Sequence, residues 1–202
     1  KNFERALELD STLFDAYNGL GNYNFWKSAK TRKFLISAFF PDERKMGVEQ
    51  LILAKEQGYF SRSAAAASLL WALINQKEYR WAQKLADSLS AAYPQAKSPL
   101  WALGTIYQEK EMWDSAAAVF SELLRRLETD SLQTGFNLVE CRARLAAAYF
   151  NAGRHQDALL ESEAARGYQL SRKNRKRLKG QLENLAEISK KSRKALAQTE
   201  PD

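Results

Sequence analysis

Few residues of this chain have the chemistry of catalysts, and they lie far apart in the sequence. His155 is the only histidine and Cys141 the only cysteine among the 202 residues. A Cys–His or Ser–His pair needs its base within hydrogen-bonding reach of the nucleophile, and no pattern in the sequence brings His155 to Cys141. We therefore expect His155 to be an exposed turn residue and Cys141 to be a small core residue on a helix.

Motifs for cofactors and metals are equally weak. Gly19 and Gly21 lie within a predicted helix, whereas a phosphate-binding glycine loop follows a strand. No Cys or His residues have the spacing of metal ligands, and the carboxylates of Glu109 and Glu111 are expected in solvent at helix ends. The sequence thus predicts no catalytic residue, no metal, no cofactor and no enzymatic activity.

A pattern of small and large residues recurs along the chain instead. Its best copy consists of Leu103-Gly104, Tyr107, Ala116 and Phe120, and weaker copies include Ala82 with Pro94, and Ala146 with Tyr149 and Ala158. Ala82 and Ala116 are 34 residues apart, and Gly47 and Ala82 are 35 apart. A period of about 34 residues is typical of helix-turn-helix units that stack into a solenoid. The scarcity of β-rich runs agrees with an all-helical core.

These residues resemble the tetratricopeptide repeat family, whose first helix carries Leu-Gly and Tyr and whose second helix carries Ala and Phe. The resemblance extends over residues 1–166. It departs from the pattern at Asn24, where the pattern has Tyr, and in the copy that contains Ala82 and Pro94 only the second half fits well. It implies an all-α fold, a right-handed α-solenoid of tetratricopeptide-like repeats with a C-terminal capping helix. Small residues such as Gly104, Ala116 and Ala146 let helix axes approach within about 8–10 Å, so we expect close helix contacts there.

The domain organisation follows from the repeats. We expect residues 1–170 to form the repeat array, with a partial opening repeat, about four helical hairpins and an insert near residues 27–41. The expected helical segments are a first helix at 13–26, a helix capped by Asp42 and ending at Gly58, and hairpins at 61–93, 98–127 and 136–165. Residues 171–202 are expected to form a basic amphipathic capping helix and a tail.

The resemblance also implies a function, because the first helices of tetratricopeptide repeats line a concave binding surface. We therefore expect a non-catalytic scaffold that binds a peptide or protein segment there. Carried over residue by residue, the candidates for this surface are Asn18, Asn22, Trp26, Trp71, Asn75, Trp101, Thr105, Gln108 and Arg144, with Phe25 and Phe150 beside them. The three tryptophans either line the groove as contact residues or pack in the core, and the sequence leaves both open.

Charge supplies an alternative function. The net charge is +7, and residues 171–202 contribute ten Lys or Arg against four Asp or Glu, which is +6. Clusters of cations attract the phosphates of nucleic acids or anionic lipids. Binding of nucleic acid or of an anionic surface through this basic helix is thus the alternative function. A basic helix is more simply explained as a solvated cap, so we do not expect nucleic acid as the main partner.

Several properties stay open at this point. The apolar run Phe34–Phe40 in the insert is either a contact surface or an extra helix across the array. No stretch reaches the roughly 20 apolar residues of a membrane-spanning helix. Because the chain begins with Lys1 rather than Met, we expect an excised piece of a longer protein. Its compartment, cytoplasmic or exported, its partner's identity and its oligomeric state are not predicted.

Overall fold

Helices are the regular secondary structure of the described part of the chain, residues 2–31 and 41–198, and no strand occurs there. The structure is a computed structural model. It confirms the predicted all-α class, with helices that pack sequentially against their neighbours. The chain divides into two compact units, Lys1–Pro94 and Gln95–Asp202, and each is described by itself.

The first unit contains five helices within its described residues: α1 (Asn2–Leu9), α2 (Ala16–Thr31), α3 (Arg44–Gln57), α4 (Arg62–Asn75) and α5 (Tyr79–Ala92). Its tightest helix contact lies between α2 and α3. A Cβ atom added to Gly47 would lie 2.7 Å from the backbone nitrogen of Phe25 and 2.9 Å from the carbonyl oxygen of Gly21. Only glycine permits backbones this close, so small residues of the repeat pattern do mark a close helix contact.

The region around the expected insert differs from the prediction. Helix α2 continues past Trp26 to Thr31, and its Ser28 hydroxyl accepts a hydrogen bond from the backbone of Glu43 at 3.0 Å. Glu43, not Asp42, is the N-cap of α3, so the predicted cap was wrong by one residue. The Asp42 carboxylate nevertheless accepts from the backbone N–H of Arg44 at 3.2 Å, and it also pairs with the guanidinium of Arg44. Phe34–Phe40 lies outside the described residues, so its role stays a prediction.

The second unit contains six helices within its described residues: α6 (Ser98–Glu109), α7 (Trp113–Glu128), α8 (Gly135–Asn151), α9 (His155–Arg166), α10 (Arg172–Arg177) and α11 (Lys179–Ala197). Helices α6 and α7 meet at Gly104, where an added Cβ would lie 2.5 Å from Cζ of Phe120. Phe120 belongs to a buried cluster with Leu123, Leu127 and Leu145 that joins α7 to α8. The predicted close contact at Gly104 is thereby confirmed.

The hairpin turns α4–α5, α6–α7 and α8–α9 share one backbone geometry. Each places a residue in the left-handed region: Lys77 at φ 65°, Glu111 at φ 56° and Gly153 at φ 76°. In each, the following N–H donates to a carbonyl of the preceding helix, in the pairs Glu78–Leu73, Met112–Tyr107 and Arg154–Tyr149, all at 2.9 Å. This is the Schellman arrangement of helix ends. The sequence repeat is therefore also a repeat of backbone conformation.

The C-terminal segment forms two helices where one was predicted. Leu178, which is fully buried, separates α10 from α11. Helix α11 packs on both α8 and α9, and its Leu185 and Ile188 join a buried cluster with Val139 and Ala146 of α8. Its role as a cap and the domain boundary at residue 170 stay predictions.

Candidate functional site

Cys141 and His155 both pack against neighbouring residues of the second unit. The Cys141 side chain is buried and its Sγ donates to the carbonyl oxygen of Phe120 at 3.5 Å. Burial raises the pKa of this thiol to about 12, which keeps it protonated and poorly nucleophilic. His155 begins α9 and is half-buried, its ring 5.3 Å from that of Phe150. The expectation of an exposed turn histidine was therefore wrong, because the turn folds His155 back onto α8.

Metal binding has no candidate cluster in the described residues. No group of three or more His, Cys, Asp or Glu side chains lies close enough there to hold an ion. A helix long and apolar enough to span a bilayer is likewise not found between residues 2 and 31 or between 41 and 198.

The four predicted site residues of the second unit lie together on α6 and α8. The guanidinium of Arg144 lies 5.9 Å from the centre of the Trp101 ring. Gln108 donates from Nε2 to the backbone oxygen of Arg144 at 3.1 Å, and Thr105 donates to the carbonyl oxygen of Trp101 at 2.8 Å. Trp101 is half-buried and meets Phe120 edge to face at 6.2 Å. The Trp101 ring thus packs against the buried Phe120 on one side and is covered by Arg144 on another.

A cleft runs beside this cluster, between α8 and α11. It consists of two cavities of about 150 Å³ and 240 Å³ that share Ala147 and Asn184 in their walls. The smaller cavity is also lined by Gln108, Ala143, Arg144 and Gln181. The larger is also lined by Phe150, Asn151, Glu187, Ile188 and Lys191. We call this surface the α8–α11 cleft.

Eight of the eleven residues that line the α8–α11 cleft were not selected by the sequence analysis. Gln181, Asn184, Glu187 and Lys191 all lie on α11, which was interpreted as a cap and not as a wall of a binding surface. The signal was available in their spacing, since Gln181, Asn184, Glu187 and Lys191 follow one another at three or four residues and so share one helix face.

The cleft is close to electrically neutral. Lys191 forms an ion pair with Glu187 at 2.6 Å, and Arg144 with Glu140 at 3.6 Å. Each cation in the walls thus has a carboxylate partner, while the amides of Gln108, Gln181 and Asn184 contribute uncharged donors and acceptors. The Nε atom of Arg144 is buried without a hydrogen-bond partner among the described residues.

The predicted site residues of the first unit lie on α2 and α4. Asn22 donates from Nδ2 to Asn18 and to the hydroxyl of Ser68, the latter at 3.0 Å, which links the two helices. Ser68 was not selected from the sequence. Asn75 is exposed and lies one turn beyond Trp71.

The aromatic candidates of the first unit have different environments. Trp26 and Trp71 are half-buried, so neither of the two interpretations of the tryptophans is settled. Phe25 is fully buried and is wrong as a surface candidate. A single groove shared by Trp26, Trp71 and Trp101 stays a prediction.

Comparisons with known proteins identify no family for this chain. No model of a known protein family matches it, and no curated protein matches it. Among solved structures the chain is similar to one described as MamA MSR-1 C2, with a TM-score of 0.47 and 18% identity over 89% of this chain and 98% of that chain. The tetratricopeptide-like interpretation therefore rests on the repeated turns and close helix contacts described above.

Proposed function

We propose that this chain is a non-catalytic scaffold that binds an extended segment of a partner protein in the α8–α11 cleft. The observation that carries the proposal is the continuity of two cavities along one helix pair. Because they share Ala147 and Asn184, a single chain can pass from one to the other. In the tetratricopeptide-like arrangement, α6 and α8 are first helices and α11 takes the place of the next one, so this cleft belongs to the predicted concave face.

The size of the cavities favours a peptide over a small molecule. Sites for small molecules usually enclose about 300–1,000 Å³ in one concave space, whereas this cleft is divided into two smaller cavities of about 150 Å³ and 240 Å³. Each suits one side chain of an extended segment. Phe150 and Ile188 offer apolar contact in the larger cavity, and Gln108, Gln181 and Asn184 offer amide groups that pair with a peptide backbone.

The charge of the cleft favours a neutral segment. Its cations are paired with Glu140 and Glu187, so a ligand carboxylate or phosphate would compete with a carboxylate already in place. A clamp for a peptide's terminal carboxylate is therefore disfavoured. The surface of α2 and α4 around Asn18, Asn22, Trp26, Trp71 and Asn75 is proposed as the corresponding surface of the first unit.

A selection experiment tests the proposal. Peptides selected on the chain from a phage-displayed random library would be measured by fluorescence anisotropy against the wild type and against Asn184→Arg, which places a long side chain across both cavities. Ala186→Arg is the matched control, because Ala186 is also exposed on α11 but does not line the cleft.

We expect Asn184→Arg to weaken binding at least about tenfold, the size of a contact residue's contribution, and Ala186→Arg to leave it unchanged. Equal affinities for the two variants would place the peptide site elsewhere, and failure to select any peptide would contradict the proposal.

A further inference from the structure

The strongest concentration of charge in the second unit lies on α10 and has no role in the α8–α11 cleft. Six cations occupy eight consecutive positions, and all six are exposed: Arg172, Lys173, Arg175, Lys176, Arg177 and Lys179. No acidic residue interrupts them. Clusters of four to eight such residues are a common feature of surfaces that bind anionic lipids.

Ion pairing sharpens this concentration. On α11 the acidic residues offset part of the charge, since Glu187 pairs with Lys191 at 2.6 Å and Glu183 pairs with Lys179 at 3.7 Å. Arg193 pairs with Glu163 of α9 at 2.6 Å. In contrast, Arg172, Lys173, Arg175 and Lys176 form no ion pair with the described residues. The densest run of unpaired cations in the described C-terminal segment therefore lies on α10, and we call these four residues the α10 cations.

The fold fixes the direction in which the α10 cations point. Ser171 caps the helix by accepting from the backbone of Asn174 at 3.2 Å, and the buried side chain of Leu178 anchors the other end. Arg177 lies over the ring of Phe136 at 4.4 Å and ties the helix to α8. Arg172, Arg175 and Lys176 have the spacing of one helix face. The surface is thus preorganised.

We propose that the α10 cations bind the surface of a lipid bilayer that contains anionic lipids. A basic surface also attracts nucleic acid, but the aromatic rings beside α10 are already occupied. Arg177 covers Phe136 at 4.4 Å, and Arg142 lies 5.8 Å from the centre of the Tyr168 ring. Single-stranded nucleic acids use such rings as stacking platforms, and none is offered here.

An apolar side chain close to the basic surface also favours a bilayer. Leu132 is 87% exposed, in the loop that leads into Gly135. Gly135 lies against Tyr168 and Leu170, directly before α10, since an added Cβ would lie 3.6 Å and 3.8 Å from their side chains. A bilayer surface accepts cations at its phosphates and an apolar side chain between its headgroups, whereas the phosphate contacts that dominate non-specific binding of nucleic acids leave Leu132 in water.

Vesicle flotation tests the proposal. The probes are vesicles of phosphatidylcholine alone and vesicles of phosphatidylcholine with phosphatidylglycerol. The test variant carries Arg172→Gln, Lys173→Gln, Arg175→Gln and Lys176→Gln. The control variant loses the same charge from exposed lysines elsewhere, through Lys45→Gln, Lys84→Gln, Lys110→Gln and Lys194→Gln. Circular dichroism establishes that both variants keep their helix content.

We expect the wild type to bind the anionic vesicles and not the neutral ones. Each cation near an anionic surface contributes about a fivefold factor in affinity, so the test variant should bind on the order of several hundredfold more weakly, and the control variant far less so. Relative to the wild type, Leu132→Ser should also weaken vesicle binding and leave oligonucleotide binding unchanged.

Three outcomes would overturn the proposal. Equal losses in the test and control variants would show a general effect of net charge. Absence of binding to anionic vesicles at low salt would exclude the bilayer. Binding of an oligonucleotide through the α10 cations, without binding of vesicles, would assign the surface to nucleic acid.

Discussion

Replacing Lys77 or Glu111 with glycine should stabilise this protein, although glycine within helical segments normally destabilises. Both residues end the first helix of a hairpin with positive φ, 65° and 56°, as Gly153 does at 76° in the third hairpin. In all three turns, the N–H group after the positive-φ residue donates to a carbonyl oxygen of the preceding helix. Two of three equivalent positions are thus occupied by a residue that the conformation disfavours.

The magnitude follows from two opposing terms. A residue with a Cβ loses about 1–2 kcal/mol in the left-handed conformation. Glycine avoids that loss but has a more flexible unfolded chain, which costs about 0.5–1 kcal/mol. Because Lys77 and Glu111 are exposed, their side chains contribute little packing. The net gain in the free energy of unfolding is about 0.5–1 kcal/mol at each site.

Urea and thermal denaturation of the single variants measure this gain. For a unit of this size, about 0.5–1 kcal/mol corresponds to a rise in Tm of about 2–8 °C. Gly153→Ala should lower stability by about 1 kcal/mol, since alanine must adopt φ 76°. Gln76 directly precedes Lys77 and has a φ of −83°, so Gln76→Gly should also lower the free energy of unfolding. If Lys77→Gly and Gln76→Gly change stability by the same amount, the turn geometry is wrong.

Three further predictions concern a close helix contact, an ion pair and a hydrogen-bonded carboxylate. Gly47→Ala should lower the free energy of unfolding by about 1–3 kcal/mol, because its Cβ would lie 2.7 Å from the backbone of α2, whereas Gly180→Ala, with nothing within 4 Å, should be neutral or stabilising in the same urea titration. Arg142→Met should cost about 3 kcal/mol by leaving the Glu161 carboxylate buried without its ion-pair partner, and adding Glu161→Gln should recover part of this loss in a double-mutant cycle. The Ser61 hydroxyl and the backbone N–H groups of residues 59–61 hold the pKa of Asp15 below its usual value. The stability that Asp15 contributes is therefore present above its unfolded pKa of about 3.9 and is lost as pH falls through the lower folded pKa. The Tm difference between wild type and Asp15→Asn should thus shrink towards low pH. A Tm difference independent of pH would contradict the hydrogen bonds assigned to Asp15.

Local pattern was sufficient to predict the hairpins. The hairpins expected at 61–93, 98–127 and 136–165 correspond to the helix pairs α4–α5, α6–α7 and α8–α9. The departure at Asn24 also has a physical reason. Asn24 is buried and donates to the side chain of Gln50 at 2.8 Å, so a polar pair joins α2 to α3 where the pattern has an aromatic residue.

Long-range packing explains what the sequence did not predict. The break at Leu178 lies within a stripe of leucines with regular helical spacing, so periodicity alone indicates one helix. The contribution of α11 to the α8–α11 cleft depends on its packing against α8 and α9, which no local pattern encodes. His155 is half-buried because of its contact with Phe150 across the turn. Each of these features is set by contacts between elements.

Photo-crosslinking from α11 tests the central claim most directly. Benzoylphenylalanine would replace Lys191, which is exposed and lines only the larger cavity of the α8–α11 cleft, or, as a control, Leu160, which is 62% exposed on α9. With a library-selected peptide bound, we predict crosslinks from position 191 to the peptide and none from position 160. A bound peptide that crosslinks from position 160 and not from position 191 would contradict the account.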